Sequence, residues 1–441
     1  MTRTDQSTIV AFRAFVDALP VETHQVRGPT PPPTRRPSLT PWLAAAAVAV
    51  IVLATVVAGR YWSRPPSPEP TRPSSEVVLP THLAAYSRLT ASVGDSPPGT
   101  ALLAYQHGHD VELFDSAQYL VMGTNGRSYR QVGIAVERGG TSLLSPDGTT
   151  LAIGGHEGLT GVVLLDLATG RTRNLRLPAE GTTLPMLWSP DGSRLWVLRG
   201  DTYRGEHSEA AQAPLLQRVD VGTGTVQGRR MDSVIYTPLG LDDRAPSAAM
   251  APDGRHLAIQ DSDGQLVLDT ATLDVVARWH LTGRLVTNGW AADARAVLSS
   301  SGGRLVRQPL NGLQPAAEAT ATSPQGADQA SVLAWTDDDH VLMTRGAGTG
   351  GETTQILAID ALTGEARVLS TLDTEWTGAG ISQVSMATGL AGDLVNAPVS
   401  DVDRGPLSVG WLVGFGTAAA IAGLLAWWIV RRVARRLMRL I

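Results

Sequence analysis

The side chains that could do chemistry are few and scattered. His107 and His109, with Asp110 beside them, could ligate a divalent metal, because imidazole and carboxylate are both competent ligands. Residues that alternate along a turn converge on one ion only when a further ligand arrives from elsewhere, and no third partner stands out. His156-Glu157 and His207 lie in loop-like stretches, where solvation is the plainer reading. Asp337-Asp338-Asp339 offers the oxygen ligands that calcium takes, yet it occupies a position where a repeat places a turn. With no cysteine there is neither a thiolate nucleophile nor a thiolate metal site. No Gly-x-Ser-x-Gly elbow, P-loop or His-Glu-x-x-His occurs. Trp188, Trp290 and Trp335 share one repeat position, with Trp196 nearby, so they read as packing residues rather than carbohydrate platforms. The sequence thus assigns no catalytic, cofactor-binding or metal-binding residue and implies no cofactor.

The elements that would position any site come from a repeat. LWSPDGSRLWVLRG (187–200) reads as two short strands around a Ser-Pro-Asp-Gly turn. Proline presets the first corner, Asp accepts bonds from the amides that follow, and Gly takes the left-handed position without steric cost. The unit recurs with Ser145, Ser189, Ala251, Ala291 and Thr336 in register, at spacings of 44, 62, 40 and 45 residues. Strand units at a period of about 40–45 residues indicate propeller blades. Outer hairpins follow in GVVLLDLATGRTRNL, LLQRVDVGTGTVQG, GQLVLDTATLDVVARW and TQILAIDALTGEARVL; three turn at Gly170, Gly224 and Gly364, and the fourth has Leu273-Asp274 there. ALLAYQHG and AQYLVMGTNGRSYRQV read as an early degenerate blade, and QVSMATGLAGD (383–393) as a last, weak copy. DTYRGEHSEAAQAP (201–214) is a polar insertion in the 62-residue interval. The expected fold is all-β: a propeller of about six four-stranded blades, with seven the alternative, flanked by two transmembrane α-helices.

Composition sets the surroundings. The net charge of −5 divides into +2 over residues 1–59, +5 over 406–441 and −12 between them. An acidic body excludes nucleic acid as its partner, since phosphate contacts need clustered positive charge. All 36 basic residues are arginine, which we read as codon bias rather than chemistry.

The expected domain order begins with a polar, proline-rich cytoplasmic tail (1–41), disordered apart from a helix with Ile9, Phe12, Phe15, Val16 and Leu19 on one face. A transmembrane helix (42–59) of 18 uncharged residues follows, with Trp42, Tyr61 and Trp62 at its ends. The competing reading, a signal peptide cleaved near Val56 and Ala58, conflicts with the 41 residues ahead of it. A Pro-rich linker (60–79) leads to the propeller (80–403), then a second transmembrane helix (409–430) of 22 uncharged residues. The basic amphipathic tail RRVARRLMRLI (431–441) would lie on an anionic leaflet, making membrane lipid one expected partner. The arginine imbalance around the second helix places the C-terminus inside a plasma membrane, the bias around the first helix favours neither side, and two crossings then place the N-terminus inside and the propeller outside. Gly410, Gly414, Ala419 and Gly423 would let the second helix pack closely against the first, rich in alanine at 45, 49, 54 and 58; the alternative is a homodimer through the same glycines.

The Ser-Pro-Asp-Gly-x-x-Leu-x-Val/Ile pattern at 145–153, 189–197 and 251–259 resembles the repeats of TolB-type, WD40-like bacterial β-propellers, over roughly residues 80–400. It is similar in composition to the sialidase Asp-box, but Asp191 and Gly192 are adjacent where that motif separates them. The layout also resembles membrane proteins paired with alternative sigma factors, without their zinc motif. The resemblance implies a scaffold, sensor or accessory domain. The expected function is binding or sensing of an extracytoplasmic protein partner or ligand, with possible relay to a cytoplasmic regulator. The alternatives are an envelope hydrolase or lyase working at the propeller axis and a purely structural scaffold.

Overall fold

The computed structural model describes residues 76–437 apart from 86, 88, 108–117, 134–140, 155–160, 179–181, 201–213, 232–246, 262, 317–318, 322–330, 347–352, 373–380 and 408. The expectations for the N-terminal tail and for the helix at 42–59 therefore lie outside the described residues. Strand β1 (Val77–Pro80) begins within the stretch read as a linker.

Six sheets follow. The first contains β2 (Ala101–His107), β3 (Gln118–Gly123) and β4 (Tyr129–Gln131). The second is β5 (Ser142–Leu144), β6 (Thr150–Gly154), β7 (Gly161–Asp166) and β8 (Thr172–Arg176). The third is β9 (Thr182–Trp188), β10 (Arg194–Gly200), β11 (Leu215–Asp220) and β12 (Val226–Arg230). The fourth is β13 (Ala248–Met250), β14 (His256–Asp261), β15 (Gly264–Asp269) and β16 (Val275–Trp279). The fifth is β17 (Arg284–Trp290), β18 (Ala296–Ser301), β19 (Arg304–Asn311) and β20 (Gln314–Pro315), with β21 (Thr320–Ala321) also paired to β19. The sixth is β22 (Ser331–Trp335), β23 (His340–Arg345), β24 (Thr354–Asp360) and β25 (Ala366–Leu372). The chain then supplies β26 (Ile381–Met386) and β27 (Leu394–Ala397).

β26 pairs antiparallel with β2 and becomes the innermost strand of the first sheet. The segment 383–393, expected as a worn separate copy, therefore completes the first blade. A strand from one end of the chain closes a sheet made by the other, which joins the ring non-covalently. β1 lies parallel to β27, Val77 beside Leu394 and Pro80 beside Ala397, so the two ends of the domain lie together. The blade count is set by packing as well as pairing. Among the described residues there are six hydrophobic clusters, each spanning the gap between two neighbouring sheets. The cluster holding Leu342, Ile356 and Leu369 with Leu103, Tyr105 and Leu120 joins the sixth sheet to the first. The ring is a six-bladed propeller whose core is distributed between blades.

The repeated turn has one geometry. The amides of Gly148, Gly192 and Gly254 donate to the carbonyls of Ser145, Ser189 and Ala251 at 2.9, 2.8 and 2.8 Å. Those three glycines have φ of +70°, +69° and +69°. Ser145 and Ser189 add a hydroxyl bond of 2.6 Å to Asp147 and Asp191, whose carboxylates also accept the Thr149 and Ser193 amides. In the fifth blade Ala294 takes the glycine position, with φ of +61° and an amide donating to Ala291 at 2.9 Å. A left-handed conformation costs a residue with a Cβ about 1–2 kcal/mol. Ala294 is exposed, so replacement by glycine removes no packing. Ala294→Gly is therefore expected to raise unfolding free energy by about 0.5–1 kcal/mol, checked by denaturant unfolding, with glycine's greater unfolded-state freedom offsetting part of the gain.

Helix α1 (Val409–Leu437) has 29 residues. Many side chains in its apolar first half lie outside the described set. Among the described residues, no helix is long and apolar enough to cross a membrane, so the two expected transmembrane helices are not supported at this level.

Candidate functional site

In an antiparallel meander, alternate connections emerge at opposite ends of the sheet. Those joining first to second and third to fourth strands share one face of the ring. They are uniformly short: 124–128, 145–149, 167–171, 189–193, 221–225, 251–255, 270–274, 291–295 and 361–365 each have five residues, 336–339 has four and 312–313 has two. The opposite face carries the remaining connections. These range from two residues (302–303) through ten (108–117) and fourteen (201–214) to seventeen (231–247). Loops of varied length on a rigid scaffold are where binding surfaces are built.

The constant face is chemically committed to its own turns. Asp166, Asp269 and Asp360 each accept two amides from their own turns, and Asp220 accepts the Thr223 amide and hydroxyl. Backbone bonds from those amides hold the carboxyls of Asp269 and Asp360 below the usual carboxylate range. The Asp337-Asp338-Asp339 turn (336–339) is one residue shorter than the five-residue turns of this face. The Asp337 carboxylate accepts the Asp339 and His340 amides at 2.9 and 2.8 Å and meets His340 Nδ1 at 2.9 Å. Its oxygens are thus taken up within the turn, and Asp339 lies 3.8 Å from Arg307. Among the described residues no three His, Cys, Asp or Glu side chains are grouped to hold a metal.

The hydrogen bond that protonated His340 donates to the Asp337 carboxylate raises the His340 pKa; burial opposes it, and the charges of Asp337, Asp360 and Asp339 add to the rise. His340 is expected to titrate by NMR above the usual value of about 6.5, and Asp337→Asn to bring it back. Because the folded value is the higher one, this pair's contribution to stability is complete below the unfolded pKa and lost as pH rises through the folded one.

The remaining sequence candidates divide by position. His107 is fully buried at the end of β2, where 108–117 departs from the variable face. His109, Asp110, His156, Glu157 and His207 lie outside the described residues, within connections that start from this same face. Trp188 and Trp335 join successive innermost strands: their indoles donate to the carbonyls of Leu143 (3.2 Å) and Asn288 (3.0 Å) of the preceding blade. Trp290 packs edge-on against Trp279, centroids 5.2 Å apart. Trp196 is buried between the third and fourth blades.

Buried polar residues that the repeat pattern conceals gather toward the variable face. Gln106, Arg199 and Asp261 are buried near the ends of second strands, and Gln217, Gln265 and Thr354 near the starts of third strands. Arg199 donates to the carbonyls of Leu177 and Pro178 at 3.4 and 3.0 Å, and Arg278 stands 3.8 Å from Asp261. Asn288 and Gln383 adopt φ of +56° and +51° at irregular points of innermost strands. Only the ordering of adjacent blades brings these groups to one end, so their spacing along the chain carries no signal. On the constant face, a recess of about 510 Å³ is bordered by Arg194, Arg218, Asp220, Thr223, Thr225 and Gln227. Arg218 is already engaged, donating to the Thr270 and Ala271 carbonyls of the next blade and to Gln227.

Fold and site together define a six-bladed β-propeller with one face of short turns and one of variable connections. No family model matches the chain, and no curated protein matches it. Among solved structures, it is similar to TolB from Acinetobacter baumannii at 16% identity and a TM-score of 0.44, covering 65% of this chain and 67% of that one. It is similar to the dihydro-heme d1 dehydrogenase NirN in complex with DHE at 15% identity and a TM-score of 0.37, covering 71% and 80%. It is also similar to a chain of a mitotic checkpoint complex at 16% identity and a TM-score of 0.34, covering 53% and 65%.

Proposed function

We propose that this protein is a membrane-held binding protein whose propeller recognises an extracytoplasmic protein partner through its variable face. The observation that carries the reading is the contrast between the two faces: turns of no more than five residues on one, connections of up to seventeen residues on the other. A scaffold under no demand but closure has no reason to lengthen loops at one end alone. The membrane part is supported by the run of 22 uncharged residues at 409–430, about 33 Å of helix at 1.5 Å per residue. It is supported too by the exposed side chains Ile421, Leu424, Leu425, Trp427, Trp428 and Ile429. The arginines that follow, without an acid, favour a cytoplasmic C-terminus.

Because the chain has no cysteine, single cysteines report cleanly. Thr223→Cys should react with a membrane-impermeant maleimide in intact cells, and Ile441→Cys only after permeabilisation; the reverse pattern would refute the orientation. Photo-crosslinking residues placed in 201–213 should capture a protein that the same residues in 221–225 do not. Equal capture from both faces, or capture only from 221–225, would refute the binding face.

A further inference from the structure

We propose that α1 carries an anion-selective lipid collar, in which Trp427 and Trp428 with Arg431 and Arg432 set the depth of the helix and gather acidic phospholipids around it. This rests on the membrane reading above and names the lipid class. The Arg431 guanidinium stands 5.0 Å from the Trp427 ring centroid, and Arg432 stands 5.0 Å from that of Trp428. Two adjacent pairs, each one helical turn apart, therefore join aromatic faces to cations at the end of the uncharged run. A guanidinium over a ring keeps its N–H edge free, and that planar fork suits phosphate oxygens. Indoles partition to the boundary between hydrocarbon and headgroups. The pairs thus place their donors at phosphate level.

Charge complementarity decides the occupant. Arg435 and Arg436 extend the positive surface into the last turn, and residues 406–441 contain no acid to compete for any of these cations. On the apolar side, Ile421, Leu424, Leu425 and Trp428 border an open recess of about 410 Å³ less than two turns from the arginines. Hydrocarbon and anion are demanded within about 10 Å along one helix, the spacing a lipid supplies from acyl chain to phosphate.

The test uses the full chain with Ile429→Cys carrying a fluorophore, reconstituted in phosphatidylcholine vesicles with added phosphatidylglycerol. Bromine-labelled phosphatidylglycerol should quench about twofold more than bromine-labelled phosphatidylcholine at the same mole fraction, consistent with attraction of anionic lipid to basic residues near the surface. In the Arg431→Gln/Arg432→Gln variant the ratio should fall to about one, with helix content unchanged by circular dichroism. Equal quenching by the two lipids in the parent, or an unchanged ratio in the variant, would overturn the collar while leaving the helix in the bilayer. No quenching by either lipid would instead remove the membrane reading on which it rests.

Discussion

Gly148→Ala is expected to destabilise the propeller by about 2–5 kcal/mol, against about 1–2 kcal/mol for Gly224→Ala. Both glycines are left-handed, with φ of +70° and +74°, so both substitutions bear the cost of placing a Cβ in that region. Their surroundings separate them. A Cβ at Gly148 would lie 2.1 Å from the Ala101 carbonyl oxygen, whereas one at Gly224 meets nothing within 4 Å. The Ala101 amide also donates to the Gly148 carbonyl at 2.8 Å, so the turn of the second blade is bonded to the second strand of the first. Relief of the clash requires moving two blades apart, which adds an overpacking cost of about 1–3 kcal/mol. Denaturant unfolding of both variants is the measurement, and equal losses would show that the blade contact does not resist displacement.

The second large effect is expected at the ring's seam. Arg130 is buried and donates to the Ser96 carbonyl (2.8 Å), the Tyr129 carbonyl (2.8 Å), the Asp403 carbonyl (2.9 Å) and the Asp403 carboxylate (2.9 Å). Tyr129 and Ala91 amides donate to the carbonyls of Asp403 and Arg404, completing a clasp between the two ends of the domain. Arg130→Ala removes the guanidinium donors to the Ser96 and Tyr129 carbonyls and the Asp403 carboxylate, while the Asp403 carbonyl keeps the Tyr129 amide. It is expected to cost about 2–4 kcal/mol; solvent access at Asp403 holds it below the loss from a fully buried pair. Burial pushes the Asp403 carboxyl up, but hydrogen bonds from Arg130 and the Gly405 amide, with the Arg130 charge, outweigh it and hold the group below the usual carboxylate range. The sign follows from that depression. The pair's contribution is present above the unfolded value of about 3.9 and is lost as pH falls through the lower folded value. The stability difference between the parent and Asp403→Asn should therefore be full at neutral pH and shrink in acid. A difference that stays constant from neutral pH to about pH 3 would contradict the linkage.

Much of the fold was legible because the repeat is written in local chemistry. Ser-Pro-Asp-Gly at 145–148 and 189–192 specifies a turn by its own side chains, and the apolar strand after it declares burial. The outer hairpins were readable for the same reason, even where Leu273 takes the left-handed position with φ of +67°. The closing strand was not. Ile381–Met386 has no turn of its own to announce it, and its partner β2 lies about 280 residues earlier in the chain. The 383–393 segment consequently resembled a separate worn copy. Nor did sequence disclose that the Asp337 carboxylate is occupied by His340 and backbone amides, because that depends on a turn one residue shorter than its neighbours.

What the sequence by itself determined is the unit: strand, Asp-bearing turn, strand and outer hairpin, repeated at a near-constant interval, followed by an uncharged run ending in arginines. Each of these rests on interactions within a few residues of one another. What only the tertiary structure decided is the number of blades, the strand that closes the ring, and the gathering of Gln106, His107, Arg199 and Asp261 at one end. Six follows from how many sheets, each twisted against the next, bring the last inter-blade core back to the first. That is a property of packing between distant segments, and no local pattern encodes it.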